Sequence, residues 1–256
     1  MRRPTKSPQP AAAKSAVERA SFKSVAASRV MRAQEKWHEY LSFLDERMHP
    51  RWVFRGHSSK SFVLQPSAGR VQKYDPLFEE RVFRAFKKDA RLHMHLPETD
   101  DWNWLALAQH YGLPTRLLDW STNPLVACFF ALQDERRDNE DAVVFAYPLE
   151  QTELVDPASW PHPFSIEQVG FLFPSSLAPR ISSQRGLFSV HPHPDVAWAS
   201  DCLASFTIPA EFRFFFQRKL FRLGVDAAHI WANLEGVCGS LRWQYEKKLG
   251  ISAAGL

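Results

Sequence analysis

The chain has 256 residues, 45% of them hydrophobic and 23% charged, enough to build one large core or two small ones. No run of about eighteen apolar residues occurs, so no membrane-spanning helix is expected, and three scattered cysteines are too few for a disulfide framework and suit a reducing, cytoplasmic setting. The net charge of +4 is unevenly placed: residues 1–35 hold eight Lys or Arg against Glu18 and Glu35, while the remaining 221 residues carry 24 basic and 26 acidic side chains. A near-neutral domain does not read as a strong binder of phosphate backbones, which takes clustered cations.

Residues 1–34 combine Pro4, Pro8 and Pro10 with an alanine run and scattered Ser and Lys. Too little apolar material is present to offset the entropy of ordering, so a disordered or loosely helical basic tail is expected, able at most to touch nucleic acid weakly and without reading sequence. The folded part is expected as a single domain over 35–250. Trp37, Tyr40, Leu41 and Leu44 recur at helical spacing from Glu35 to about Arg47, and Pro50 then ends the pattern. Arg51–Gly56 reads as a short strand, Leu77–His93 as a helix with an apolar face, and Asp100 or Asp101 as the N-cap of a third helix. Gly112-Leu-Pro114 stops that helix, Thr115–Trp120 reads as a strand, and Asn123-Pro124 opens an almost wholly apolar helix to Gln133.

Asp141–Tyr147 is a further strand. Residues 148–180, interrupted by six prolines, read as a long loop with short helical turns. Strands are expected around Leu187-Phe188 and over Leu203–Ile208, then two helices over about 210–223 and 226–249 separated by Gly224. The fold class is α+β, a small mixed or antiparallel sheet surrounded by helices.

Two places concentrate polar chemistry. Arg55-Gly56 puts a planar guanidinium at a strand end beside a residue that lets a ligand approach the backbone, although a strand-end ion pair is the plainer alternative. The block from Gln109 to Pro124 places His110, Thr115, Arg116, Asp119, Ser121, Thr122 and Asn123 among apolar neighbours, where polar groups need partners or a ligand. The peptide N–H groups after Asn123 open a helix N-terminus suited to an anion. Each member also has a structural alternative: Asn123 as a cap, Asp119 as a tie for Arg116, His110 as a cap of its own helix. Their density is harder to explain that way.

Phe54-Arg55-Gly56, followed by Ala108-Gln-His-Tyr-Gly-Leu-Pro-Thr-Arg-Leu-Leu-Asp-Trp-Ser-Thr-Asn-Pro124 and Phe129-Phe-Ala131, resembles the FRG domain family, named for its Phe/Tyr-Arg-Gly motif. Ser121 stands where threonine is usual. Leu64-Gln-Pro-Ser67 with Arg70, the segment 180–188 and Leu234-Glu-Gly236 resemble later family elements, so the likeness covers about residues 50–240. The resemblance implies an effector of bacterial or phage conflict and defence, a toxin-like activity, and an unknown macromolecular target or regulatory partner.

Arg55-Gly56 and Ser121-Thr122 before Phe129-Phe130-Ala131 are also similar in kind and order to the Arg-Ser-Glu class of ADP-ribosyltransferases. That likeness implies an ADP-ribosyltransferase-like fold with NAD as substrate. Arg55 would hold its pyrophosphate or ribose, Ser121 would position the nicotinamide ribose, and Gly56, Arg70, His110, Thr115, Arg116, Asp119, Thr122 and Asn123 would complete the binding site. The third catalytic corner, a glutamate in that class, falls here on Gln184 or Glu235. The competing reading is a non-catalytic module binding protein or nucleic acid, with tryptophans such as Trp102, Trp120, Trp198 and Trp243 as surfaces, though these residues suit a core better. No metal site is expected: His93-x-His95 and His191-x-His193 lack accompanying ligands. No phosphate-binding Gly-rich loop or Gly-x-Ser-x-Gly motif occurs.

Overall fold

The computed structural model describes residues 10–93, 100–174 and 186–249, with side chains from residue 27 onward. It divides into two compact units, Met1–Glu46 and Arg47–Leu256. The first carries α1 (Pro10–Asp45). The helix expected from Glu35 thus extends back to Pro10 through an alanine-rich stretch of high helix propensity, and the Trp37 and Tyr40 rings meet at 5.8 Å along it.

The second unit holds β1 (Trp52–His57), α2 (Pro76–Ala90), α3 (Asp101–His110), β2 (Leu117–Ser121), α4 (Pro124–Leu132), β3 (Ala142–Pro148), β4 (Gly170–Leu172), β5 (Gly186–Val190), β6 (Ala204–Ile208), α5 (Arg213–Arg222), α6 (Ala227–Trp231) and α7 (Leu234–Glu246). The strands form one six-stranded antiparallel sheet in the order β4-β5-β2-β1-β3-β6, and the fold class is α+β. Local chemistry sets the helix starts. Asp75, Asp100 and Asn123 each accept a backbone N–H with their side chains, and proline follows Asp75 and Asn123 at the first helical position. Gly112, after α3, takes the left-handed conformation at φ 85° that glycine adopts without strain.

Two expectations are corrected. The region 148–180 contains a real strand, β4, whose three residues pair with Phe188–Val190 of β5. The last helix is two: Ala232 sits at φ 46°, and Asn233 then caps α7 by accepting from the Gly236 N–H. Gly236 lies against α6, where a Cβ would stand 2.5 Å from the Ala227 carbonyl oxygen.

The sheet is buried on both faces. Phe83, Trp102, Trp104, Leu105 and Leu107 pack with Leu117, Leu172, Phe188 and Val190 on the side that α2 and α3 cover. On the other side Val53, Leu118, Trp120, Tyr147, Phe171 and Leu187 pack with Leu64 and Leu149. Trp120 Nε1 donates to Ser189 Oγ (2.9 Å), which lies 2.8 Å from His191 Nε2, so this indole is a satisfied core group. Among the described residues no helix is long and apolar enough to cross a membrane.

Candidate functional site

The central strands β1 and β2 share one register position, Phe54↔Ser121, whereas β1 pairs with β3 at six positions and β2 with β5 at five. Where β1 and β2 part, Arg55 bridges them by donating from Nη1 to the Asp119 carbonyl. Beside this bridge lies a cavity of about 390 Å³, within the size range of small-molecule sites. Its wall includes Arg55, Gly56, His57, Phe62 and Arg70 from β1 and the following segment. His110, at the end of α3, Asp119 and Ser121 of β2, and Phe130 on α4 complete it.

Two hydrogen-bonded chains meet at Asp119, one through Arg55 to its carbonyl and one through Gln109 to its carboxylate. His57 Nδ1 lies 3.3 Å from the Phe62 carbonyl, and His57 Nε2 accepts from Arg55 Nε at 3.0 Å. This fixes a neutral ring with its proton on Nδ1. Burial, aided by the positive charge of Arg55, pushes the His57 pKa down to about 3. Asp119 Oδ2 stands 3.6 Å from Arg55 Nη1, too far for a hydrogen bond, and accepts instead from Gln109 Nε2 at 3.0 Å. Gln109 Oε1 in turn accepts from Thr115 Oγ1 at 2.6 Å.

Charge is unbalanced here. Arg55 and Arg70 face one carboxylate, Asp119. Burial lowers the Arg55 pKa, the Asp119 charge opposes that shift, and Arg70 adds to it; burial lowers Arg70 as well. A group that stays protonated under such desolvation is one that an anion would stabilise. Arg70 is oriented by giving Nε (2.9 Å) and Nη2 (2.6 Å) to the Gln65 carbonyl, which leaves its Nη1 edge outside that pairing.

Of the residues singled out from sequence, Arg55, Gly56, Arg70, His110, Asp119 and Ser121 line this one cavity. Thr115 and Arg116 do not. Thr115 is buried behind Gln109, with its backbone N–H on Ser67 Oγ (3.2 Å). The Arg116 guanidinium donates twice to Glu79 (Nη2–Oε2 2.7 Å, Nε–Oε1 3.2 Å) and lies over the Phe164 ring at 4.5 Å. The alternative of an Asp119–Arg116 tie is therefore not realised. Thr122 is not among the lining residues, and Asn123 caps α4 through Leu125 N while its own N–H donates to Ser121 Oγ. Glu235 is exposed in the first turn of α7 and is not part of the cavity wall. Gln184 and His95 lie outside the described residues.

Gly56 has a different reason than backbone approach by a ligand: a Cβ there would lie 1.9 Å from the Ala127 carbonyl oxygen, so glycine is what lets α4 pack on β1. Sequence reasoning missed His57 and gave Gln109 no role. His57 lies two residues past Arg55, and Gln109 acts through a residue ten positions later; neither stands in a recognised spacing. His191 is buried and its pKa is pushed down to about 3 by burial and by Arg55, while His193 is exposed. Among the described residues no group of three or more His, Cys, Asp or Glu is placed to hold a metal ion.

Residues 50–140 match the family described as FRG domain. The match includes Arg55-Gly56 and the whole block 109–124 and ends before the segments at 180–188 and 234–236. No curated protein and no solved structure matches the chain.

Proposed function

From an FRG domain over residues 50–140, we propose that the cavity where β1 and β2 part is an NAD site and that the domain is an ADP-ribosyltransferase-like, NAD-using effector of a conflict or defence system. The observation that carries this reading is that Arg55 and Ser121, 66 positions apart in the chain, line one cavity together with a second arginine, Arg70. Two guanidiniums match the doubly charged pyrophosphate of a dinucleotide, since arginine presents paired donors to phosphate oxygens. Phe62 and Phe130 offer apolar wall to a nucleobase or nicotinamide ring.

In ADP-ribosyl transfer the bond from the ribose to nicotinamide breaks with its electron pair leaving on neutral nicotinamide, and positive charge develops on the ribose. A nucleophilic oxygen or nitrogen of the acceptor, or water, then bonds to the ribose carbon and loses its proton to solvent. A carboxylate near that carbon stabilises the charge electrostatically. Among the described lining residues that carboxylate is Asp119, two positions before Ser121 on the same strand. Because His57 is neutral, it braces Arg55 without adding charge to the anion seat. Calorimetric titration with NAD, paired with chromatographic detection of released nicotinamide, tests the reading. Wild-type protein should bind NAD, and Arg55→Ala should weaken binding at least about tenfold, the scale of one lost charge-assisted contact. Wild-type protein that neither binds nor consumes NAD, or an Arg55→Ala protein that binds it equally well, contradicts the reading.

A further inference from the structure

We infer that Gln109 is a positioning residue that keeps the anion seat open by tethering Asp119 away from the Arg55 guanidinium. The inference rests on the cavity being an anion site, as proposed above. An arginine and an aspartate this close ordinarily form a forked pair with two short N–H···O bonds. Here the two groups keep only one long ion-pair contact of 3.6 Å in place of that fork, while Oδ2 is taken by Gln109 Nε2 at 3.0 Å. Gln109 can donate in that direction because Thr115 Oγ1 donates to its Oε1 at 2.6 Å and so fixes which end of the amide faces Asp119.

The two sides of the pair are unequally held. The Asp119 side chain is 61% exposed and can rotate cheaply, whereas that of Arg55 is 14% exposed and anchored to His57 Nε2 and the Asp119 carbonyl. Without the tether the mobile carboxylate swings onto the fixed guanidinium and occupies it as an internal competitor of the ligand anion. Gln109, Thr115 and Asp119 thus form one device in which a neutral amide sets how much of the Arg55 charge a ligand meets.

The test is a titration with inorganic pyrophosphate, and separately with NAD, of wild type, Gln109→Leu, Asp119→Asn and the double variant. Gln109→Leu should weaken pyrophosphate binding about tenfold, and Asp119→Asn should strengthen it several-fold, the scale of gaining or losing one charged partner. The double variant should bind like Asp119→Asn alone, because with no charged competitor the tether has nothing to restrain. A residue that merely supports the fold would instead weaken binding by the same factor in both backgrounds, and that result overturns the inference. Gln109→Asn, too short to reach both partners, repeats the comparison should the leucine variant fold poorly. Wild-type protein that binds pyrophosphate but not NAD sinks the NAD reading while leaving this inference decided by the pyrophosphate series; binding of neither overturns both.

Discussion

Arg55 and Arg116 sit in the two conspicuous motifs of this chain, and the fold uses them in opposite ways. Arg116 is sealed between α2 and β2: its side chain is 3% exposed, its partner Glu79 is 7% exposed, and Tyr74 donates to the same carboxylate at 2.6 Å. Nothing of that guanidinium is offered to a ligand. Arg55 is held from one edge by His57 and from one nitrogen by the Asp119 carbonyl, has the Asp119 carboxylate at 3.6 Å, and lines a cavity. Two residue-identical charges, one spent on the fold and one held in reserve, show that a dense polar motif is not a uniform site. In the block 109–124, Thr115, Arg116, Leu117, Leu118 and Asn123 serve the packing and capping of the fold, while Gln109, His110, Asp119, Trp120 and Ser121 line the cavity.

The largest effect that sharpens this contrast is expected at the sealed arginine. Arg116→Leu strands the Glu79 carboxylate in a buried site and should cost about 3–5 kcal/mol of folding stability, read from denaturant unfolding. Gly56→Ala comes next. Its new Cβ collides with backbone rather than a flexible side chain, so α4 must lift from β1 at a cost of about 3 kcal/mol or more. Should Gly56→Ala fold with unchanged stability, the account of why glycine follows Arg55 would be wrong.

A third effect concerns acid. His57 and His191, both near Arg55, have folded pKa values of about 3 against an ordinary value of 6.5. The unfolded chain therefore binds protons that the folded one does not as pH falls below about 6.5, and the stability they contribute is full above that pH and lost progressively toward pH 3. The loss is at most about 1.4 kcal/mol per pH unit for each histidine. Unfolding midpoints at pH 7.5 and pH 5 should show a clear drop, halved in His57→Asn. A profile that His57→Asn leaves unaltered would place the acid sensitivity elsewhere. A smaller stability effect belongs to Arg55 itself. Arg55→Ala removes a desolvated charge but leaves the buried His57 Nε2 and the Asp119 carbonyl without that donor, so the change should be about 1–2 kcal/mol, well below that of Arg116→Leu.

Much of the fold was legible because its signals are local. Asp100, Asn123-Pro124 and Gly112 act through hydrogen bonds and dihedral preferences within a few residues, and the structure places helix boundaries there. Strand β4 was not legible, because three residues among prolines become a strand only through pairing with β5, nearly twenty positions away. The break at Ala232 was hidden since an alanine in the left-handed region carries no sequence signal. For the site, Arg55 and Ser121 stood out by motif, yet nothing in their spacing indicated that a single shared register position would bring them to one cavity. Arg116 drew attention for the same reason as Arg55, and only the position of Glu79, 37 residues earlier, separates their roles.

The most direct test of that separation is the thermal unfolding midpoint of Arg55→Ala with and without saturating NAD, beside wild type. A ligand that binds only the folded state raises the midpoint in proportion to its occupancy. The account predicts that Arg55→Ala unfolds within a few degrees of wild type in the absence of NAD and loses the rise that NAD gives the wild-type protein. An Arg55→Ala protein that keeps the full NAD-dependent rise, or one that unfolds as early as Arg116→Leu without any ligand, would contradict it.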